Sequence, residues 1–574
     1  MRNARWVDAL VPGLVALVVL GPLLAPGFVL VGDMVFVPEQ PWKDAWTGGD
    51  GGVPRAVPSD AWVSLLGQVV PGDLLQKLVL VGIVLGAGLG VAHLLRDLPA
   101  LARAGGMLLY CWNPFLHERL GIGHWALLVG YAALPWVAAG ALRLRETAWR
   151  SGAVCLIAGL AVAGWASPTG GVLTVLVALA LVQGWRTRLL VGLLGAWVNL
   201  PWILPALLNG ADQLPPDAFG VEAFASRADT PWGVLVSVAT FGGIWKEAVV
   251  PDDRGTPLLA GVGVAVVLLS VLGLWLARRR PVLPLPAALL LGVGPVLLAS
   301  LSAFEATRPL LEWVVVHVPG GGLLRDSQKL VMPWVLVGAT GFASLLASLH
   351  GRLARFGDHA RWWLGTVVLL PAVALPSLAA GLSGFLTTSD FPDEWAQIRG
   401  VMEDEGVDEE RVLVLPFSTY RRFDWTPRTI LDPAPRFFPG SMVTEDALAV
   451  ESGTVGGESA LASRVRSAEG AEELAEVLAR AGVEWVLVHE TPEEVVLPAG
   501  AVPVVEGEQL SLYRLPGAAE ATGGTTVGDS SRAAWYAGID LAVLLSTVAG
   551  LGVAARVSRK RACSCPQEAT DAYS

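Results

Sequence analysis

Long apolar segments recur along the whole of this 574-residue chain and dominate its hydrophobic pattern. A helix needs about 20 apolar residues to cross the hydrocarbon core of a bilayer. The pattern therefore predicts a mainly α-helical, polytopic membrane protein with about twelve transmembrane helices, three of them short enough to be re-entrant or tilted instead. The twelve segments are 8–31, 74–95, 99–113, 125–142, 151–167, 170–185, 189–208, 257–277, 282–302, 330–349, 363–383 and 533–555.

Basic residues mark alternate connections between these segments, which indicates the orientation of the chain. With the N terminus in the cytoplasm, every segment assigned to the cytoplasmic side is basic, and the large segments on the other side are acidic or nearly neutral. We therefore expect both termini in the cytoplasm, an uncleaved first helix and a multi-pass location in the cytoplasmic (inner) membrane. The basic segments are 2–5, 96–103, 143–150, 186–188, 278–280, 352–361 and 556–561.

A long acidic segment without any Lys separates the last two apolar segments. Its apolar runs at 411–417, 483–489 and 510–515 predict strands, and 471–481 predicts an amphipathic helix that Gly482 terminates. A small extracytoplasmic α/β domain follows from this pattern. The predicted organisation is a transmembrane domain at 1–385 with outer loops 32–73, 209–256 and 303–329, the soluble domain at 386–530, a final helix at 533–555 and a basic cytoplasmic tail at 556–574.

Composition narrows the class of protein further. Hydrophobic residues make up 53% of the chain and charged residues only 16%, against about a quarter charged in soluble proteins. The net charge of −11 argues against nucleic acid as a partner. Few Lys among the basic residues, with abundant Ala, Gly and Val, indicate a GC-rich bacterial genome. The four Cys form no C-x-x-C pair, so no zinc ribbon is expected.

The segment that follows the first apolar stretch, VGDMVFVPEQPW at 31–42, carries the first candidate chemistry. Gly32 allows a sharp turn, which would place Asp33 at the membrane boundary with Glu39 and Trp42 behind it. A carboxylate there can deprotonate an acceptor hydroxyl, and a Trp can stack on a sugar. The alternative is that Asp33 marks only the start of the polar phase, with Trp42 as an interfacial anchor.

The second candidate segment is YCWNPFLHERLGIGHW at 110–125, in which an Asn-Pro pair predicts the end of a helix. Charged groups so close to a bilayer are expected to pair or to line a wet cavity. Glu118 and Arg119 would then position a phosphate or a second carboxylate. The alternative is a solvated turn with a surface ion pair. The spacing of His117 and His124 does not match a zinc-protease motif, and no metal site is expected.

The third segment, PGGGLLRDSQK at 319–329, directly precedes an apolar stretch. Arg325 and Lys329 are four residues apart and would share one face of a helix. Two cations at an outer membrane boundary suit the phosphate of a lipid-linked donor, since Arg binds phosphate in a bidentate manner and Lys as a point charge. The alternative is that both cations anchor a helix end.

Together these motifs resemble GT-C-type membrane glycosyltransferases, and above all the membrane part of the actinobacterial cell-wall arabinofuranosyltransferases. The resemblance rests on the acidic residue after the first helix, on Asn-Pro-Phe followed by Glu-Arg-Leu and Gly-His-Trp, and on Leu-Leu-Arg-Asp-x-x-Lys before a helix. It covers roughly residues 1–385. The outer domain and the last helix match only in layout.

The resemblance implies a polyprenyl-phosphate sugar donor and an envelope glycan or lipid acceptor at the outer face of the cytoplasmic membrane. It places the catalytic acid at Asp33, a second acid at Glu39 or Glu118, and the donor-phosphate contacts at Arg325 and Lys329. Asp33 and Glu39 are not the adjacent acidic pair of many such enzymes, which leaves a bound divalent cation open.

The resulting hypothesis is a GT-C-type glycosyltransferase that acts at the lipid bilayer. Its catalytic candidates are Asp33, Glu39 and Glu118, its phosphate-binding candidates are Arg325, Lys329 and Arg119, and Trp42 is the candidate sugar-contacting aromatic. No cofactor is certain and no nucleic acid is involved. Two alternatives remain at this stage: a transporter or flippase of a lipid-linked glycan, and a non-catalytic envelope scaffold.

Overall fold

The computed structural model describes residues 5–145, 149–210, 213–353, 358–492, 495–515 and 530–562. Helices dominate the first two thirds of the chain. They are α1 (Trp6–Leu20), α2 (Ser59–Gly67), α3 (Gly72–Leu94), α4 (Ala100–Cys111), α5 (Pro114–Gly121), α6 (Trp125–Arg143), α7 (Trp149–Ala166), α8 (Pro168–Leu181), α9 (Trp185–Val198), α10 (Leu200–Leu208), α11 (Phe219–Ala223), α12 (Gly233–Ala239), α13 (Asp252–Gly255), α14 (Pro257–Leu276), α15 (Leu285–Leu301), α16 (Arg308–His317), α17 (Met332–Leu353), α18 (Asp358–Val368), α19 (Leu370–Ala374) and α20 (Ala379–Gly384).

The remaining third contains the sheet and the last long helix. Its helices are α21 (Asp393–Asp404), α22 (Ala434–Phe437), α23 (Ala460–Ser467), α24 (Gly470–Arg480) and α25 (Ser530–Ala562). The strands of the chain are β1 (Phe28–Val29), β2 (Thr388–Ser389), β3 (Arg411–Leu415), β4 (Tyr420–Arg421), β5 (Ile430–Leu431), β6 (Ser441–Val443), β7 (Leu448–Val450), β8 (Gly453–Val455), β9 (Val483–His489), β10 (Val502–Glu506) and β11 (Leu510–Arg514).

The membrane character of the chain is clear, but the structure does not confirm a count of twelve transmembrane helices. Among the described residues, six helices are long and apolar enough to cross a membrane, or seven if a bent pair counts as one span. That pair is α9 and α10, which meet at an angle of 70° beside Pro201. The six spans are Trp6–Leu24, Gly72–Leu94, Trp125–Arg143, Pro257–Leu276, Ser327–Leu353 and Ser531–Arg556.

The single helix predicted over 363–383 is wrong. The segment is divided into α18, α19 and α20, with Pro371 and Pro376 at the start of new turns. Proline removes a backbone donor and clashes with the preceding turn, which ends a helix. Inside α20, residues 380–383 have left-handed backbone angles, so the chain reverses its helical sense just before it reaches β2.

A five-stranded sheet in the order β10-β11-β9-β3-β6 forms the centre of the C-terminal third. β3 runs parallel to β6 and β9, whereas β11 runs antiparallel to β9 and β10. Helix α24 covers one face, with Leu474 and Leu478 in the core there. The sheet and helix boundaries agree closely with the strands and helix predicted for this segment. The predicted tail residues 563–574 lie outside the described residues.

One continuous apolar core joins the opposite face of the sheet to the membrane helices. It contains Trp395 of α21 and Trp485 of β9 together with side chains from α1, α3, α4, α6 and α17. Two backbone connections add to this contact: β1 pairs with β2 in antiparallel register, and Gly32 forms a bridge with Ile430 of β5. The sheet is therefore packed directly on the segment that carries Asp33.

Candidate functional site

Two glycines bring the Asp33 segment into close contact with the turn between α5 and α6. Gly32 has φ +50° and Gly123 has φ +87°. A Cβ on Gly32 would lie 2.1 Å from the Ile122 carbonyl oxygen, and one on Gly123 would lie 2.3 Å from the Val31 carbonyl oxygen. The Asp33 amide donates to the Ile122 carbonyl at 3.1 Å. Both positions therefore require glycine if Asp33, which follows Gly32, is to lie beside His124, which follows Gly123.

The Asp33 carboxylate is accessible, yet two donors hold it in place. Its Oδ2 lies 3.1 Å from Nε2 of His124, its Oδ1 accepts from the Tyr420 hydroxyl, and its side chain remains 39% exposed. Burial alone would raise the pKa of this carboxyl. The hydrogen bonds to His124 and Tyr420 and the nearby charge of Lys329 instead lower its pKa to about 2. Asp33 is thus an ionised carboxylate over the whole physiological range of pH.

The hairpin of β4 and β5 fixes the Asp33 segment from the side of the sheet. The Gly32 amide donates to the Thr429 carbonyl at 3.1 Å, and the Leu431 amide donates to the Gly32 carbonyl at 2.8 Å. Tyr420, the first residue of the hairpin, supplies the hydroxyl that reaches Asp33. Residues from the C-terminal third therefore complete a site that begins next to the first membrane helix.

Helix α5 carries Glu118 and Arg119 into the protein interior. The Asn113 side chain accepts from the Leu116 amide at 3.1 Å and caps the helix, and Pro114 occupies its first turn. Glu118 and Arg119 are both fully buried. The alternative of a solvated turn with a surface ion pair is therefore wrong, because a helix, not a loop, follows the Asn-Pro pair.

Both terminal nitrogens of the Arg119 guanidinium are engaged by protein groups. It donates to both carboxylate oxygens of Asp326, at 2.6 and 3.0 Å, and it also donates to Gln328. Its Nη1 lies 2.9 Å from Nδ1 of His124. Positive charges of Arg119 and Lys329 lower the pKa of Asp326 against the effect of burial. Arg119 thus forms a buried, charge-assisted pair that orients its neighbours.

This contact also fixes the protonation of His124. An Arg side chain can only donate, so Nδ1 of His124 accepts from Arg119 and the ring proton resides on Nε2. Nε2 then donates to Asp33. Burial lowers the pKa of His124 below its usual value despite the hydrogen bond to Asp33. A neutral His124 in this tautomer is a donor to the carboxylate and has no free nitrogen to take its proton.

Arg325 and Lys329 do not share one face of a continuous helix, as the spacing predicted. Two separate 3-10 turns, Gly321–Leu324 and Ser327–Val331, flank Asp326, whose backbone is not helical. Lys329 Nζ lies 3.5 Å from Asp326 and its side chain is 25% exposed. Its charge acts on both Asp33 and Arg325. Lys329 therefore links the other cation to Asp33 electrostatically, through a local geometry different from the predicted helix face.

Arg325 contacts the C-terminal third directly. Its Nη1 lies 3.4 Å from Oε1 of Glu458, and its guanidinium stands 5.4 Å from the centroid of the Phe224 ring. Arg55, from the loop before α2, lies 3.4 Å from the same carboxylate oxygen. Two cations from distant parts of the chain thus converge on one carboxylate of the sheet region.

Glu118 differs from Asp33 in its state of ionisation. Its Oε2 accepts from Gln328 Nε2 at 2.9 Å. Burial and the adjacent negative charge of Asp229 raise the pKa of Glu118 well above its usual value. Because burial favours the protonated form and the carboxyl is closed off from solvent, Glu118 is a poorer candidate for a base than the exposed Asp33. It belongs to a hydrogen-bonded network that runs from His124 through Arg119 and Gln328.

Next to Glu118 lies a buried ion pair between Asp229 and Arg254. Arg254 donates to the two oxygens of Asp229 at 2.7 and 2.8 Å, and to the Thr240 and Ser237 carbonyls. The exposed fractions of the two side chains are 1% for Asp229 and 4% for Arg254. We refer to Asp229 and Arg254 as the closed pair.

Two of the residues predicted from the sequence lie at the surface. Glu39 is 64% exposed on its side chain, and its carboxylate lies 3.9 Å from Arg399 of α21. Trp42 is 43% exposed. Neither side chain contacts Asp33 in the part of the chain that the structure describes. Their roles as second acid and sugar-contacting aromatic remain predictions without support from a direct contact.

The structure adds residues that the sequence did not single out for a role. Asp326 and Gln328 lie inside the third motif and alternate with the two cations, but only the fold shows that they bind Arg119. Tyr420 is separated from Asp33 by 387 positions. In the part of the chain that the structure describes, no three His, Cys, Asp or Glu side chains gather as a metal site requires.

Comparison with known proteins gives the fold its context. No protein-family model and no curated protein matches the chain. The fold nevertheless resembles that of solved glycosyltransferases. Among solved structures, it resembles the arabinofuranosyltransferase AftD from mycobacteria, with a TM-score of 0.54 and 15% identity over 89% of this chain and 40% of AftD. A mutant form of AftD gives a TM-score of 0.56 and 14% identity, over 89% and 42% of the two chains.

This chain thus spans about two fifths of the length of AftD. The archaeal oligosaccharyltransferase AglB from Archaeoglobus fulgidus, solved with an inhibitory peptide and a dolichol-phosphate, aligns over 84% of this chain and 68% of its own with 13% identity, but its TM-score is only 0.38. Identities this low establish the fold and not the reaction, because one fold supports many activities. The resemblance to GT-C-type enzymes expected from the sequence motifs is confirmed at that level.

Proposed function

We propose that this protein is a membrane glycosyltransferase that moves a sugar from a polyprenyl-phosphate donor to a glycan or lipid acceptor of the cell envelope. One observation carries the proposal: an accessible, ionised Asp33 lies within the electrostatic reach of Lys329, whose charge also acts on Arg325. A base for the acceptor and cations for a leaving phosphate are the two requirements of this reaction. The glycosyltransferase neighbours support the same class.

In the proposed reaction, the acceptor hydroxyl binds at Asp33 and its oxygen attacks the anomeric carbon of the donor sugar. The new carbon–oxygen bond forms as the bond to the phosphate oxygen breaks, with inversion at the anomeric carbon. The hydroxyl proton passes to Asp33. Lys329 and Arg325 stabilise the negative charge that remains on the departing lipid phosphate.

The low pKa of Asp33 is compatible with this role. A carboxylate with a pKa of about 2 does not remove a proton from a free hydroxyl. It accepts the proton late, when the hydroxyl oxygen acquires positive charge through its bond to the sugar carbon. Until then, the charged carboxylate orients the hydroxyl and stabilises the developing positive charge at the anomeric carbon.

The neighbouring groups support Asp33 and Lys329 without replacing them. Arg119 is fully buried and already bonded to Asp326, so we assign it a positioning role in place of phosphate binding. Glu118 is buried, with its pKa raised by burial, and accepts a hydrogen bond from Gln328. The sheet region supplies Tyr420 and, in this proposal, lies on the extracytoplasmic side, with both termini in the cytoplasm of a bacterial cell.

Transport of a lipid-linked glycan is a second candidate, and one residue favours it. Asp540 lies inside the candidate span of α25, only 8% exposed. Both of its carboxyl oxygens are buried without a hydrogen-bond partner among the described residues. Ionisable groups within a membrane span are costly and often mark a transport pathway. Lipid translocation in liposomes that survives in Asp33→Asn and is lost in Asp540→Asn would favour transport over transfer.

The main test uses the full chain purified into liposomes with a panel of polyprenyl-phosphate sugars and glycan acceptors. We expect Asp33→Asn to lower sugar transfer by about 10²–10⁴-fold and to leave thermal unfolding unchanged. Asp97→Asn is the matched control, because this Asp is 90% exposed beside Arg96. Glu39→Gln identifies the alternative base. Normal transfer by Asp33→Asn would end the proposal, and loss in Glu39→Gln alone would move the base to Glu39.

Mass spectrometry of envelope glycans complements this assay in a strain that lacks the protein. The loss of one defined sugar linkage, restored by the wild-type chain and not by Asp33→Asn, is the expected result. An unchanged glycan profile together with a stable envelope partner in pull-downs would instead indicate a non-catalytic scaffold.

A further inference from the structure

The hairpin that holds Asp33 also carries an open cleft at its tip. Residues 422–427 connect β4 to β5 and line the cleft together with Thr387 and Thr388. Its volume of about 660 Å³ falls within the range of small-molecule binding sites. The cleft begins at Arg422, two residues after Tyr420, whose hydroxyl donates to Asp33.

Aromatic rings form a rigid wall of this cleft. Phe423 and Trp425 are half-buried, and their rings stack with centroids 4.9 Å apart and planes inclined by 22°. Trp425 also packs on Phe391 at 5.0 Å and on Trp395 at 5.7 Å. The rings are therefore fixed by the core of the sheet region and present a constant apolar surface.

Hydrogen bonds make the tip itself rigid. The Thr426 hydroxyl donates to the carbonyls of Phe423 and Arg428 at 3.3 and 3.1 Å. Arg428 in turn donates to the Phe385 carbonyl at 3.2 Å, and its guanidinium lies 4.0 Å from the centroid of the Phe385 ring. The cleft is thus preformed and attached to the segment that leaves the membrane region.

The rim of the cleft bears a free donor and a free acceptor. Arg422 and Asp424 are exposed, and neither takes part in an ion pair in the part of the chain that the structure describes. The exposed Thr387 adds a hydroxyl. One positive and one negative group two residues apart give no net attraction for a polyanion or an anionic lipid headgroup. They do suit neighbouring hydroxyl groups, which both accept and donate.

We propose that this cleft binds neutral sugar residues of the acceptor glycan, and so positions the chain whose terminal hydroxyl reaches Asp33. The aromatic wall contacts the apolar face of a sugar ring, Arg422 donates to its hydroxyl oxygens, and Asp424 accepts from its hydroxyl groups. This inference rests on the proposed glycosyltransferase function and adds an acceptor subsite to it.

The test measures binding directly, so that it does not depend on turnover. The full chain in detergent is titrated with neutral oligosaccharides of four to eight units from linear arabinan, galactan and mannan, and saturation-transfer NMR reports the contact. We expect at least one series to bind and the double variant Arg422→Ala/Asp424→Ala to weaken binding about tenfold, as expected for the loss of two hydrogen-bonding groups. Arg480→Ala is the control, because this Arg is 77% exposed on α24.

Three binding results would overturn the subsite: no binding of any series, equal binding by the double variant, or an effect of Arg422→Ala that is confined to the binding of phosphatidylglycerol and cardiolipin vesicles. The last would identify a lipid-binding surface instead. Asp33→Asn separates this inference from the proposed function, since it should still bind the oligosaccharide. Binding that persists without any sugar transfer by the wild type would reject the function alone. Transfer with an unchanged acceptor KM in the double variant would reject the subsite alone.

Discussion

The closed pair and the groups around Asp33 contain the same types of charged side chain but differ in exposure. Asp229 and Arg254 are 1% and 4% exposed. Asp33, Lys329 and Arg325 retain exposed fractions of 39%, 25% and 24% on their side chains, and we refer to these three as the open cluster. Both regions are charged and hydrogen-bonded, and they lie at two ends of one network.

This difference in exposure shows which charged groups are available to a ligand. All three guanidinium nitrogens of Arg254 donate, to Asp229 and to oxygens of Ser237 and Thr240. Such a pair can only stabilise the fold, because a substrate would have to displace protein groups that are already well placed. The open cluster leaves a carboxylate and two cations with free capacity. Arg119 belongs with the closed pair by this criterion.

We expect the largest effect from a substitution that breaks the closed pair. Arg254→Met leaves the Asp229 carboxylate buried without its partner, which should lower the free energy of unfolding by about 3–5 kcal/mol. The midpoint of thermal unfolding, followed by intrinsic Trp fluorescence in detergent, should fall accordingly. The double variant Asp229→Leu/Arg254→Met should recover much of the loss. No recovery would show that the pair holds the fold through its surrounding hydrogen bonds and not through its charges.

A smaller effect is expected at the contact between the sheet and Asp33. Tyr420→Phe removes one hydrogen bond to a charged group, worth about 1.5–3 kcal/mol, and should lower kcat for sugar transfer about tenfold or more. Donor binding should remain unchanged, because Lys329 and Arg325 are untouched. Tyr513→Phe, on β11, is the control. A raised donor KM with normal kcat would contradict a role of Tyr420 at the base.

The pH dependence of sugar transfer tests whether His124 keeps Asp33 of the open cluster ionised. The wild-type rate should show no acid limb from Asp33 above pH 4, since its pKa is about 2. His124→Ala removes a donor to the carboxylate, which favours the protonated form and raises the pKa of Asp33 by about one unit or more. Transfer should then decline as the pH falls towards 4. Identical acid-side profiles in the two proteins would exclude His124 as the group that keeps Asp33 ionised.

The smallest effect concerns Glu458, the carboxylate that contacts Arg325 of the open cluster. Glu458→Gln removes the negative charge 3.4 Å from Arg325 and Arg55. If the lipid phosphate competes with this carboxylate, the donor KM should fall about two- to fivefold, the range expected for a partly exposed ion pair. Damage to the fold would raise KM instead. Glu476→Gln is the control, because Glu476 pairs with Arg480 at the surface.

Local patterns in the sequence predicted local structure well. The strand at Arg411, the strand that ends at His489 and the helix before Gly482 all follow from alternation or helical periodicity within a few residues. The helices that span the membrane follow from length and apolarity alone. Local patterns failed to predict where a helix is interrupted by several prolines, as between α18 and α20. They also failed to predict the bend between the short apolar helices α9 and α10.

The candidate site was predictable only in part, for a related reason. The sequence placed Asp33 and Lys329 together because each lies at a boundary of an apolar segment on the same predicted side. It carried no signal for Tyr420 or for the pairing of Asp229 with Arg254, because contacts between distant segments leave no periodic pattern. The assignment of Arg119 to phosphate differs from the structure-based role for the same reason, since its partner Asp326 lies 207 residues away.

The hairpin between Tyr420 and Leu431 has a consequence for biogenesis. Asp33 emerges early in translation, whereas the backbone and hydroxyl groups that fix it come from residues made almost 400 positions later. Because domains generally fold in order of synthesis, the apolar helices can insert while the Asp33 carboxylate is still incompletely held. The segment around Asp33 is fixed only when the C-terminal third has folded, so a chain cut short before Tyr420 would lack the groups that hold this carboxylate.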